Sequence, residues 1–173
     1  MNPALLDPER QFLGCVMQLA LSPARRLLAG MRSDDFDSSI AAHVLQLAIE
    51  VTAADRPPTP VVLMDRARER AATPRRSGGA NRLRTLGLWL VDTYSDGPIL
   101  PPAYYGAWLK SLVLKNAYRR AVREHALRLA QAVEQEAPTE RLRDLLDDTD
   151  RIEDLWGRCQ HPDDLGPLLE VAA

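Results

Sequence analysis

Apolar residues recur along this chain at three- and four-residue intervals, and almost nowhere in strict alternation. Phe12, Leu13, Val16, Met17, Leu19 and Ala20 form the first such stripe, with Glu9, Arg10 and Gln18 off it. That period places one apolar face on a helix. The start is well marked, because Asp7 can accept from the free amides of a first turn and Pro8 stands where a missing N–H costs nothing. The pattern predicts a helix from about Pro8 to Leu21. A short second element follows in SPARRLLAGM, capped by Ser22, opened by Pro23 and ended by Gly30. Ile40, Val44, Leu47 and Val51 then predict a helix from about Ser39 to Ala53, with Asp37 or Ser38 as its cap.

The prolines of Pro57–Pro60 are a hard stop. Val61, Val62 and Leu63 look briefly like a strand, but Leu63, Ala67, Arg70 and Ala71 continue at helical spacing, and helix is the reading taken. A loop around Gly78 and Gly79 leads to a short apolar helix carrying Leu83, Leu86, Leu90 and Val91. YSDGPILPP reads as a linker. From Pro102 to about Glu136 only Gly106 interrupts potential helix. APTE then makes a turn, and Leu142, Leu145, Leu146, Ile152, Leu155 and Trp156 resume the helical period. Two long helices joined by a turn form an antiparallel hairpin.

The fold expected is therefore all-α: a compact helical bundle over residues 1–98, a projecting antiparallel helical hairpin over 99–157, and a short C-terminal tail over 158–173. A projecting hairpin has little core of its own and needs a partner over its apolar stripe. Trp108, Leu112, Tyr118, Leu142, Leu145 and Leu146 are the candidate hairpin-pairing residues.

Composition narrows the function. At 46% hydrophobic and 27% charged residues, the chain can build a core. Its net charge of -2 argues against a protein that coats DNA generally. Cys15 and Cys159 make no disulfide framework, and Cys15 reads as a small buried hydrophobe. Without a signal peptide or a membrane-length apolar run, a cytoplasmic location and no membrane contact are expected.

Chemistry is hard to find. Gly78–Gly79 lacks the lysine and the preceding strand of a phosphate loop. His43, His125 and His161 are scattered, and Cys159 with His161 lies on an expected tail. Asp147, Asp148 and Asp150 lack the oxygen spacing and central glycine of a calcium loop. Ser77 has no histidine brought to it. Asp34 and Asp35 read as first-turn residues favoured by the helix field. No catalytic residue, metal or cofactor is expected. Arginines form two groups: Arg75, Arg76, Arg82 and Arg84 around the glycine pair, and Arg119, Arg120, Arg123 and Arg128 on the long helix, the latter diluted by Glu124, Glu134 and Glu136. Either could meet phosphates.

The order of DPERQFLG, DDF, VLQLAIEV, RPPTPVVLMDRARER, GGANRL and YYGAWLKSLVLKNAYRRAV, over about residues 5 to 157, resembles the N-terminal domain of the DnaB-type replicative DNA helicases. Glu9, Leu13 and Gly14 fall on that family's opening motif, and Asp35 and Phe36 on its D-F pair. Leu45 takes the place of a usual aromatic, and Pro58 precedes the next helix. Gly78, Gly79 and Leu83 match the glycine turn, and Tyr105, Leu109 and Leu112 the last helix. The chain departs where Ala41 replaces a usual histidine, Pro60 a common aspartate and Arg82 a tyrosine. The resemblance implies a non-catalytic part of the replication machinery that self-associates through hairpin pairing into a dimer or ring. It also implies contacts with primase or a helicase loader, and only weak or indirect DNA binding. The ATP-driven motor domain of that family has no counterpart here. The alternative is a small helical regulator that binds nucleic acid through its arginine clusters.

Overall fold

The computed structural model describes residues 7–72, 79–96 and 100–161, and among these all regular structure is helical. The helices are α1 (Pro8–Gln18), α2 (Leu21–Leu28), a 3-10 turn (Ser33–Asp35), α3 (Ser39–Ala53), α4 (Pro60–Ala71), α5 (Gly79–Ser95), α6 (Pro102–Glu134), α7 (Thr139–Asp147) and α8 (Asp150–Gln160). The all-α fold expected from the sequence is thus the fold observed.

Helix α1 is the axis of the head. Asp7 caps it, its Oδ1 accepting from the amides of Glu9 at 3.0 Å and Arg10 at 3.3 Å. Every residue from Gln11 to Met17 is buried, so α1 is enclosed rather than amphipathic, touching α2, α3, α5 and α6. Phe12, Leu13, Val16 and Met17 meet Val44, Leu45, Leu47 and Val51 of α3, Leu63 of α4, Leu86 and Leu90 of α5, and Leu109, Val113 and Leu114 of α6 in one core. Each fully buried aliphatic or aromatic side chain there stabilises the fold by about 1.5–3 kcal/mol before entropy is counted.

Three boundaries differ from the sequence reading. Helix α1 stops at Gln18 and α2 begins at Leu21. Proline is the reason: a continuous helix would need an N–H on Pro23 to reach the carbonyl of Leu19, whereas in a first turn that N–H has no intrahelical role. Gly30 ends the next stretch at φ 72, a left-handed conformation that glycine adopts without penalty. The helix expected to start after the glycine pair is longer than foreseen, with Gly79 as its first residue. The return arm of the hairpin is broken in two at Asp148–Thr149. Asp147, Asp148, Thr149 and Asp150 all compete with helical hydrogen bonding through their own side chains. The Thr149 carbonyl then accepts the amides of Ile152 at 2.8 Å and Glu153 at 3.0 Å to restart the arm.

Helix α6 has 33 residues, about 50 Å at 1.5 Å per residue. Its first half packs on the head and its second half pairs with α7 and α8. Gly106 sets the closeness of the first contact. A Cβ there would lie 2.7 Å from Leu27 Cδ2 and 3.3 Å from Cys15 Cβ. One turn on, the buried Lys110 donates from Nζ to the Ala29 carbonyl at 2.7 Å, a cation at the C-terminal end of α2 where the helix field favours it.

Two glycines should therefore respond oppositely to alanine. Gly106→Ala is expected to cost about 1–3 kcal/mol, because Leu27 can shift but the Cβ of Cys15 is tied to its backbone. Gly157→Ala, in α8 with nothing within 4 Å, should stabilise by about 0.5–1 kcal/mol. Urea denaturation of both variants checks the pair.

Candidate interaction surface

Ion pairs and a small apolar cluster together fasten the return arm to the head. The small cluster under α8 consists of Ala117, Ala121 and Leu155, with Tyr118 and Ile152 at its edge. Around it the ion pairs converge on the 3-10 turn. Asp35 is 1% exposed and receives Arg158 at 2.8 Å, while its Oδ2 also accepts the Arg32 amide at 2.7 Å. Arg158 further donates to the Gly30 carbonyl at 3.1 Å and pairs with Asp154. Asp154 in turn takes a two-pronged contact from Arg32, at 2.9 and 3.0 Å. Arg151 donates to the Asp34 carbonyl at 3.3 Å and reaches Glu124 of α6 at 3.6 Å.

Glu9 joins the same region from below. Its carboxylate accepts the amides of Asp37 at 2.7 Å and Ser38 at 3.1 Å, holding the entry to α3, and Arg120 lies at 4.0 Å. Burial pushes its pKa up, helped by the charge of Asp7, and this outweighs the amide hydrogen bonds and Arg120. On the far side of the head, burial raises the Glu50 pKa. Hydrogen bonds from Gln46 and Arg66 and the charges of Arg70 and Arg66 more than reverse this, and its net shift is downward.

The hairpin-pairing residues read from the sequence divide between two environments. Leu145 is buried and Leu112, Tyr118 and Leu142 are half-buried. The ring of Tyr118 packs on Trp156 at 5.5 Å between centroids. Trp108 and Leu146 remain exposed, at 55% and 60%. Trp108 stacks on Tyr105 with centroids 5.5 Å apart and planes at 14°. Other large apolar side chains open to solvent on the hairpin are Tyr104, Val122, Leu127, Val133 and Trp156. Val122, Val133 and Trp156 stand on the apolar period that the sequence shows along the two arms, whereas Tyr104 and Leu127 do not, and none of the five was among the candidate pairing residues.

The arginine groups divide as well. Arg75 and Arg76 lie outside the described residues, as do Ser77, Gly78 and residues 162–173 of the expected 158–173 tail, whose first three residues instead form the end of α8. Arg82 and Arg84 are exposed on α5. On α6, Arg120 faces Glu9 and Asp37, and Arg128 pairs with Asp148 at 3.2 Å. Arg119 and Arg123 are exposed and form no ion pair among the described residues.

Reactive chemistry is sparse. Burial pushes the Cys15 thiol up to about 12 and raises that of Cys159, so neither is a thiolate nucleophile at neutral pH. Among the described residues no group of three His, Cys, Asp or Glu side chains is placed to hold a metal, and no helix is long and apolar enough to cross a membrane. Compared with protein-family models, curated proteins and solved structures, the chain finds no match.

Breaking the Arg158–Asp35 pair from one side leaves a buried carboxylate with its charge unanswered. Arg158→Met should cost about 3 kcal/mol, and the double change with Asp35→Asn should recover part of that in a thermodynamic cycle. Glu9 carries a pH signature. A carboxyl raised in the folded state contributes stability below its unfolded pKa, and that contribution is lost as pH rises through the folded value. The stability of Glu9→Gln relative to the unaltered chain should therefore improve from pH 4 to pH 7. Glu50, lowered on folding, should show the reverse: its contribution stands above its unfolded pKa and disappears as pH falls through the folded one. Urea midpoints of Glu9→Gln over that range, and of Glu50→Gln from neutral pH down to about pH 3, check the two signs.

Proposed function

We propose that this chain is a non-catalytic oligomerisation and protein-interaction module of the DNA replication machinery, acting as the collar domain of the DnaB-type helicases does. One observation carries the reading. The far half of the hairpin leaves Val122, Leu127 and Val133 of α6 and Leu146 of α7 open to water after its own two arms have packed. Large apolar side chains gathered on one protruding element are an interface in waiting. The arms have already used Leu145 and Ala132, so the open residues are what remains for a second molecule.

In this reading the first partner is another copy of the chain, meeting hairpin to hairpin as a dimer or as a unit of a ring. Primase or a helicase loader would be the second kind of partner. The head supplies rigidity, since α1 is enclosed on all sides and α6 runs unbroken from the head into the hairpin. A lever of this kind passes a contact at its tip directly to the body that holds its base.

Sedimentation velocity over a wide concentration range tests this. The chain should form a dimer or larger ring, and Val133→Asp or Leu146→Asp should weaken it at least tenfold, equivalent to about 1.4 kcal/mol. Both positions are exposed, so the variants should unfold within about 0.5 kcal/mol of the parent. A chain that stays monomeric at the highest concentration would sink self-association as its role.

A further inference from the structure

Between Asp96 and Glu124 the chain has no carboxylate, although acids outnumber bases in the whole sequence, 24 to 22. The same stretch holds Lys110, Lys115, Arg119, Arg120 and Arg123. Lys110 and Arg120 turn inward to the head, as described above. Lys115, Arg119 and Arg123 do not: they are exposed, and they form no ion pair among the described residues. They follow each other at four-residue steps, so they make one row along the helix.

That row continues an aromatic one. Tyr104, Trp108, Lys115, Arg119 and Arg123 all fall within roughly a third of the circumference of α6, at 100° per residue, over about 28 Å of its length. Tyr104 is 82% exposed, and Trp108 presents one face to solvent while Tyr105 supports the other. Like charges four residues apart cost a helix a few tenths of a kcal/mol per pair, and no acid on this face offsets them. By contrast Arg10, Arg25, Arg32, Arg66, Arg151 and Arg158 all meet carboxylates of the chain itself.

Upright rings followed by a row of unanswered cations match one ligand chemistry. Bases stack on aromatic faces whatever their identity, and phosphates draw to fixed cations. A duplex presents its bases edge-on inside grooves and offers no ring face to Tyr104 or Trp108. A single strand offers both groups in alternation. We propose that the outer face of α6 from Tyr104 to Arg123 binds single-stranded nucleic acid, with bases on Trp108 and Tyr104 and phosphates on Lys115, Arg119 and Arg123. This face meets the protein-contact surface assigned above only at Val122; Leu127, Val133 and Leu146 lie beyond it, so Val133→Asp and Arg119→Glu test the two roles separately. The competing occupant is an acidic surface on a second copy, such as Glu140, Asp144 and Asp147 of α7, all exposed.

Fluorescence polarisation of a labelled oligothymidylate against the full chain decides. Binding is expected at low salt, with a log–log salt slope of about -2 for three phosphate contacts to a single strand. Arg119→Glu should weaken it at least tenfold and flatten the slope, and Trp108→Ala should weaken it about tenfold and abolish tryptophan quenching. Arg68→Glu, an exposed site on α4, should change nothing. Circular dichroism melting verifies that the variants fold. No polarisation change at low salt, or binding that survives Arg119→Glu undiminished, overturns the proposal. So does an Arg119→Glu variant that loses self-association while keeping the oligonucleotide, since the face would then belong to a second copy.

Discussion

A carboxylate removed from water must have its charge answered, and two such groups decide how the halves of this molecule meet. Glu9 reaches across from α1 to hold the amides that begin α3, and Asp35 waits in the 3-10 turn for an arginine that arrives from the end of the hairpin. Without these partners each would have to give up its charge or its burial, because an uncompensated buried charge costs several kcal/mol. The turn between them, only three residues long, is thus the point at which head, α6 and α8 are registered against one another. Apolar packing makes the molecule compact, and these directional polar contacts fix where the arm meets the turn beside the small Leu155 cluster.

The legible parts of the fold are those whose cause is local. Asp7 and Pro8 mark the start of α1, Ser38 caps α3, and Pro60 and Pro102 open their helices where the sequence places them. The helical period identified the long α6 because nothing within it competes. The break at Asp148–Thr149 was missed because apolar spacing continues through it, though four consecutive Asp and Thr residues were the signal available. Leu145 and Leu146 show a different limit. They are neighbours separated by 100° of helix rotation, and only the position of α6 determines that the first is buried and the second exposed. No local rule pairs Asp35 with Arg158, 123 positions away. For the same reason the arginines of α6 looked alike in sequence, while the fold engages Arg120 and Arg128 and leaves Arg119 and Arg123 outward.

The hairpin thereby acquires two unlike surfaces on one rigid rod. Near the head it is aromatic and basic; toward the tip it is aliphatic and acidic. Gly106 keeps the rod seated against α1 and α2 at a spacing that any Cβ would disturb, and Lys110 holds it to the end of α2. The non-helical joint of the hairpin lies in the return arm, between its two short helices, whereas α6 is continuous. Contacts made on α6 itself are therefore presented at fixed spacing.

The charge order along α6 has one more consequence. A helix has a positive N-terminus and a negative C-terminus, and its side chains usually oppose that polarity. Here they do not: Lys110 and Lys115 are the only charged residues of its N-terminal half, while Glu134 ends the helix and no basic residue occupies its last turn. Backbone and side chains sum to a lengthwise dipole that the net charge of -2 conceals. The field of an approaching charged body acts on that dipole before contact, so α6 is aimed as well as shaped.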